Sequence, residues 1–263
     1  DVYLNDKNTL SVFTSQNSFK GAPGGNINIV YADDMSRNLM QDFGADMDNY
    51  SQQYNFDYKL DFEKEGHNIE FEADYNTFDA DEDTFFDFTG ATPLADYEDF
   101  VDTKRDRTTL NLDYVNPLSE SEKLEVGLQA ILFSTDIGYS STGQSYNAAG
   151  NLVPTPNTLF DYSRDIYSAY VTYGKNYEKW SYQAGVRAEQ VNVVADTNSV
   201  RAFTNDYFEL YPSAYVTFNP SEKNQYQVSY SRRIDRPGVG QVNPIREWSS
   251  PLVTQYGNVN LRR

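Results

Sequence analysis

The sequence has no cysteine. That excludes disulfide staples and thiolate metal sites, and it leaves the redox compartment open. It has one histidine, His67, so an imidazole-rich metal centre or a His-based catalytic triad lacks its parts. Basic residues are few: 21 Lys and Arg stand against 39 Asp and Glu, a net charge of -18. A nucleic-acid surface needs the opposite balance, which excludes a nucleic-acid partner. No run approaches the roughly 18 apolar residues of a membrane helix. The start, Asp1-Val2-Tyr3, lacks the basic and apolar regions of a signal peptide. Both ends read as interior points of a longer chain. No nucleophile–base pair, phosphate-cradling loop or helix-borne metal motif appears. No catalytic residue, cofactor or metal ligand is therefore assigned, and the chain reads as a non-enzyme.

Aromatics are plentiful, with 22 Tyr and 16 Phe. A disordered acidic chain is poor in them. They fall into alternating patterns. In 50–63, Tyr54, Phe56, Tyr58, Leu60 and Phe62 share one parity. Gln53, Asn55, Asp57, Lys59, Asp61 and Glu63 share the other. Strict alternation of this kind is a strand with one apolar and one polar face. A turn at 64–68 leads to Ile69, Phe71, Ala73 and Tyr75, alternating with Glu70, Glu72, Asp74 and Asn76. The same rhythm predicts strands over 7–17, 104–118, 124–139, around Tyr167–Tyr173, from Trp180 to Glu189, and two more after Asp206. Between them the composition predicts long loops at 18–48, 79–103 and 140–159 and a medium loop before Asp206. A helical turn is predicted within 38–47. The total is about nine to ten strands joined by alternating short turns and long loops.

Alternation alone fits a soluble β-sandwich and a membrane β-barrel equally. Three features favour the barrel. Loops are long on one side and short on the other. Phe62, Tyr75, Tyr114, Tyr173, Trp180 and Phe218 cluster near strand ends, where interfacial girdles sit. Ala130, Ala169, Ala184 and Ala214 lie mid-strand on the apolar face, where a sandwich core would need filling. The fold class is therefore read as all-β: part of an antiparallel transmembrane β-barrel, with short periplasmic turns and long extracellular loops. All of residues 1–263 belong to that one domain.

Residues 210–258 resemble a known family. Leu210-Tyr-Pro-Ser-Ala214, Tyr226-Gln-Val-Ser-Tyr-Ser-Arg-Arg-Ile-Asp-Arg-Pro237, Val242-Asn-Pro-Ile245 and Tyr256-Gly-Asn258 are similar to the barrel signature of Bacteroidetes-type TonB-dependent receptors. There a Tyr-Ser-Arg-Arg-Ile-Asn-Arg-Pro corner precedes Leu-Asn-Pro-Phe and Gly-Asn-Pro-Leu-Lys-Pro-Glu. Here Asp235 stands for Asn, Val242 for Leu and Ile245 for Phe, and Val259 falls where Pro is expected. The resemblance implies a plugged barrel of about 22 strands in the Gram-negative outer membrane, taking up a nutrient. It implies contact with outer-membrane lipid and coupling to the TonB complex through a plug outside this chain. A surface lipoprotein is a further candidate partner.

Several residues invite a sharper chemistry. Asp79-Ala-Asp-Glu-Asp83 begins like an EF-hand but has Thr84 where Gly should follow and Gly90 where the closing acid should be. It reads first as a solvated acidic loop. His67 reads as a surface turn residue. Asp57, Asp61, Glu70, Glu72 and Asp74 form a lumenal acid stripe, with Lys59, Arg187 and Arg233 expected to offset it. Arg232, Arg233, Asp235, Arg236 and Pro237 form a corner. Arginine forks there suit either an anionic ligand or carboxylates of the wall; the corner reads as an architectural anchor. No ligand-binding residue is assigned. Two other functions stay open: a non-transporting barrel with a structural or secretion-partner role, and a soluble carbohydrate-binding sandwich.

Overall fold

A computed structural model describes residues 2–91, 95–147, 149–245 and 255–261. It is almost wholly antiparallel sheet. The strands are β1 (Val2–Asn5), β2 (Asn8–Gly21), β3 (Gly24–Ile29), β4 (Leu39–Asp61), β5 (Asn68–Gly90), β6 (Tyr97–Pro117), β7 (Glu122–Ser141), β8 (Gln144–Tyr146), β9 (Leu152–Pro154), β10 (Thr158–Asn176), β11 (Trp180–Thr197), β12 (Val200–Ser221) and β13 (Asn224–Ser231). A 3-10 turn at Met35–Arg37 and one helical turn, α1 (Val239–Val242), complete the described elements. Eleven strands form one sheet in the order β1-β2-β4-β5-β6-β7-β10-β11-β12-β13, with β3 also paired to β4. β8 and β9 make a separate hairpin. Among the described residues β1 and β13 remain the sheet's edges, and no closed barrel is formed.

β2 and β3 lie end to end along β4. The break falls at Pro23, which has no N–H to give to a ladder. Its carbonyl still accepts from Ala45 N at 2.8 Å.

The strands are longer than the sequence suggested. β4 and β5 each run 23 residues, about 75 Å at roughly 3.3 Å per residue. Much of the predicted loop at 18–48 is strand, and residues 39–47 are not a helical turn. The predicted acidic loop at 79–103 is the far half of β5, a short link, and the start of β6. The loop at 140–159 carries the β8–β9 hairpin. The medium loop before Asp206 does not exist. Asn198 and Ser199, at φ 50° and 62°, join β11 directly to β12. Positive φ at both central residues is the turn whose twist suits a hairpin. The short turns at 62–67, 118–121, 177–179 and 222–223 are present as expected.

The missed length has one cause: the faces exchange character along each strand. Register carries one row across the sheet through Tyr58, Phe71, Leu112, Leu128, Ala169, Ala188 and Leu210. This apolar row defines the Phe56 face. The next row, Asp57, Glu72, Asn111, Gln129, Ser168, Glu189 and Glu209, defines the Asp57 face. Farther from the short turns the pattern inverts. The Phe56 face then carries Asp48, Asp81 and Asp102 in one row and Asp136, Asp161 and Asp196 in another. The Asp57 face there carries Phe86, Ile137, Tyr139, Phe160, Tyr162, Val191, Val193 and Ala195, all buried. All of these but Phe86 form one cluster with Ile166, Val242 of α1 and Ile245. Near the short turns the Phe56 face stays uncovered: Phe56 is 39% and Leu128 54% exposed.

Candidate functional site

The Asp57 face carries a hydrogen-bonded row. Glu72 accepts from Asn111 Nδ2 at 3.0 Å, and Asn111 accepts from Gln129 Nε2 at 2.8 Å. Gln129 accepts from Arg187, whose Nε donates to Glu189 at 2.6 Å. Glu189 accepts a second guanidinium, that of Arg236. These residues come from β5, β6, β7, β11 and the segment after β13. They meet because antiparallel register puts four of them in one line and the fork of an arginine reaches two partners. Ser168 lies in the same row, and its buried hydroxyl finds no protein partner among the described residues.

The five corner residues divide. Arg232 donates to Leu210 O at 2.7 Å and to the Glu209 carboxylate, and its guanidinium lies 5.5 Å from the Tyr211 ring. Arg236 donates to Glu189, to Tyr207 Oη at 2.8 Å and to Tyr211 Oη at 3.3 Å. Pro237 O accepts from Arg164 at 3.3 Å. Arg233 and Asp235 are exposed, and neither makes an ion pair among the described residues. Among the described residues the corner thus supplies two wall-facing arginines and no convergent pocket of free cations.

Sequence reasoning missed Glu189, Tyr207, Tyr211 and Arg164. Glu189 was legible in principle, since it shares the parity of Arg187. The link to Arg236, 47 positions later, depends on how the chain turns after β13. The expected acid stripe does lie on one face: Asp57 opposes Glu72, and Asn55 donates to Asp74 at 3.0 Å. Of the three expected counter-charges, Lys59 sits 3.4 Å from Asp61 and Arg187 sits on Glu189. Arg233 offsets nothing among the described residues.

Two sequence expectations change. Asp79, Asp81 and Asp83 are strand residues on the Phe56 face, while Ala80 and Glu82 point to the other. A strand sends alternate side chains to opposite faces, so they cannot wrap one calcium ion. No group of three or more His, Asp or Glu residues suited to a metal occurs among the described residues. His67 is more than a surface turn residue. Its ring stacks on Phe62 at 4.2 Å and its Nε2 meets Tyr114 Oη at 2.9 Å.

The same end of the sheet holds other paired rings. Trp180 stacks on Phe218 at 4.2 Å, and Tyr177 and Tyr182 lie 6.0 Å apart. They sit beside the short turns, with the apolar part of the Phe56 face running away from them.

The sequence profile of an outer membrane protein beta-barrel family matches residues 60–262. The chain belongs to that family. Its place is the Gram-negative outer membrane. Similar solved structures include the ferric citrate transporter FecA in its unliganded form, at 9% identity and a TM-score of 0.38, covering 82% of this chain and 42% of that one. They also include the FrpB iron transporter of Neisseria meningitidis (F5-1 variant) as apoprotein, at 11% identity and a TM-score of 0.34, covering 87% and 46%. A second FrpB structure gives 11% identity and a TM-score of 0.36, covering 87% and 47%. The chain spans less than half the length of these transporters. No curated protein sequence matches it.

Proposed function

We propose that this chain is part of the barrel of a TonB-dependent receptor, an outer-membrane transporter that takes up a nutrient through a plugged lumen. The Phe56 face meets lipid and the Asp57 face lines the lumen. The short turns lie in the periplasm, and the long half-strands and their loops project outside the cell. The plug and the remaining strands lie outside this chain. The remaining strands pair with the open edges of β1 and β13 to close the barrel, and energy reaches the plug from the TonB complex.

The observation that carries this is the apolar band on an uncovered face. From Leu124 to Leu132 that band spans nine residues of β7, within the roughly 9–11 that a strand tilted by about 45° needs to cross the hydrocarbon core. A sandwich buries such a face against a second layer, and no second layer covers it among the described residues. The inversion of the two faces beyond the band supports the same placement. Outside the bilayer the outer wall meets water and turns acidic, while the inner wall packs against its own loops. The corner residues Arg232, Arg236 and Pro237 act there as an architectural anchor.

Membrane fractionation of the full-length protein, with a heat-modifiability gel, tests the barrel. Crosslinking to the periplasmic domain of TonB then tests the receptor. A water-soluble product with no heat-dependent mobility shift ends the barrel proposal. A heat-modifiable barrel that never crosslinks to TonB points to the non-transporting role instead.

A further inference from the structure

We infer that Arg105 and Arg107, with Arg164 beside them, form an anion-binding belt on the inner wall, and that the cargo is a small molecule carrying two or more carboxylate or phosphate groups. The inference rests on the receptor reading and on the lumenal assignment of the Asp57 face proposed above.

The way β6 sorts its charges carries the argument. Residues 102–107 read Asp-Thr-Lys-Arg-Asp-Arg. A strand sends alternate side chains to opposite faces, so Asp102, Lys104 and Asp106 stand on the outer wall, Arg105 and Arg107 on the inner one. Both arginines are exposed. Register extends each into a row across the inner wall from β4 to β11. One row runs Gln53, Asn76, Arg107, Phe133, Arg164 and Val193. The next runs Ser51, Phe78, Arg105, Thr135, Tyr162 and Ala195. Together they hold three arginines and no carboxylate, in a chain with 39 Asp and Glu. Toward the long loops the following row, with Ala80, Thr103, Ile137 and Phe160, is uncharged. Toward the short turns the acids begin with Asp74, which opposes Thr109 and accepts from Asn55 at 3.0 Å. Behind Arg105, the outer-wall row of Lys104 carries Asp79, Asp136, Asp161 and Asp196. The sign of the charge thus reverses through the wall.

Height places the belt where cargo enters. Arg107 opposes Phe133, the residue after Leu132, where the apolar band of the outer wall ends. The belt therefore lies at the outer edge of the bilayer and faces the extracellular part of the lumen. Two rings support the guanidinium groups. Arg105 lies over the Phe78 ring at 5.4 Å and Arg164 over the Phe133 ring at 6.0 Å. A guanidinium laid on a ring keeps its edge of N–H donors for a carboxylate or phosphate, which it holds through paired bonds. Arg164 is half-buried and gives one donor to Pro237 O at 3.3 Å, so it adds charge more than contact. Spacing sets the valence. Arg105 and Arg107 stand about 6.6 Å apart along the strand at roughly 3.3 Å per residue. Arg164 lies two strands from Arg107, about 10 Å at roughly 4.8 Å per strand. One carboxylate does not span that belt; two or more on one small molecule do. A neutral cargo gains nothing from charges set out this way.

The test uses the purified full-length receptor in detergent, first checked for a heat-dependent mobility shift, at low ionic strength so that the charges are not screened. Isothermal titration calorimetry reads the affinity for tricarballylate and for pyrophosphate, with maltotriose as the neutral probe. Wild type should bind both anions and not the sugar. Arg105→Gln combined with Arg107→Gln should weaken anion binding about tenfold or more, as losing a charge-assisted hydrogen bond does. Arg105→Lys combined with Arg107→Lys keeps the charge without the fork and should lose less. Lys104→Gln removes one charge from the same strand on the outer wall and should leave binding unchanged. The inference falls if heat-modifiable wild type binds neither anion, which would leave the arginines to a carboxylate of the plug. It also falls if the double Gln variant, still heat-modifiable, binds as wild type does, or if Lys104→Gln weakens binding as much. A water-soluble full-length product with no mobility shift overturns the barrel reading first, and the belt's lumenal place with it.

Discussion

Glu189 holds Arg187 at 2.6 Å with one carboxylate oxygen and Arg236 with the other. One buried acid thus joins the middle of β11 to a segment 47 positions downstream. Removing it leaves two guanidinium groups without their anion in a site from which water is largely excluded. Glu189→Ala should destabilise the folded barrel by about 3 kcal/mol, the lower end of what breaking a buried pair costs. Glu189→Gln keeps an acceptor and should cost roughly half as much. The urea midpoint of the heat-modifiable band measures both. Equal losses for the two variants would mean that the carboxylate's charge is irrelevant.

Gly127 is required by the ring of Tyr170. A methyl group at Gly127 would lie 2.2 Å from Tyr170 Cε1 and 2.4 Å from Asp113 Oδ1. Tyr170 Oη donates to Asp113 at 2.5 Å, so the ring is pinned where it lies. Gly127→Ala should cost about 1–3 kcal/mol through overpacking. Pairing it with Tyr170→Ala should cost less than the sum of the two single changes, since the ring is gone and Asp113, no longer bonded to Tyr170 Oη, is free to swing away from the methyl group. Strict additivity in urea unfolding would show that the ring does not rest on the glycine.

The acidic outer wall makes stability depend on pH. Asp161 lies between Asp136 and Asp196 in the register of β7, β10 and β11. Partial burial, then the charges of Asp136 and Asp196, push its carboxyl above the usual carboxylate value. A raised value means that the folded state holds the proton more tightly than the unfolded chain does. That contribution is therefore complete below the unfolded value of about 4 and is lost as pH rises through the raised folded value. Asp161→Asn should stabilise the protein at pH 7 relative to wild type, and the difference should shrink as pH falls toward 4. Urea midpoints of the two proteins across that range check it; a constant difference would rule out the repulsion.

Much of the architecture was legible in the sequence where polarity and face agree. Tyr54, Phe56, Tyr58 and Leu60 against Asn55, Asp57 and Lys59 leave no other interpretation than a two-faced strand. The half-strands beyond the band were not legible, for a physical reason. Asp79, Asp81 and Asp83 have poor strand propensity and read as a loop, yet their period of two continues that of Ile69, Phe71 and Tyr75 on the same face. The strand persists while its environment changes from lipid to water, so the residue types swap and the period does not. Valines 191 and 193 show the same switch from the other side. The corner was legible as a motif, but the partner of Arg236 was not. No local pattern says that residues 236–245 fold back across β12.

Asn198 and Ser199 offer a test of that register. Together they turn β11 into β12, and Asn198 is tied to β10 on both sides: its N–H donates to Leu159 O at 2.8 Å, and its Oδ1 accepts from Leu159 N at 2.7 Å. Asparagine tolerates its φ of 50° well, but Ser199 at 62° carries a Cβ in the left-handed region. Ser199→Gly relieves that strain at the cost of a more flexible unfolded chain, a net gain of about 0.5–1 kcal/mol. Asn198→Ala should lose about 1 kcal/mol, because Leu159 N then has no side-chain acceptor. A medium-length flexible loop at this point would respond to neither change. A higher urea midpoint for Ser199→Gly with a lower one for Asn198→Ala fixes a two-residue turn here, and with it the pairing of Val191 with Tyr207 and of Val193 with Asn205.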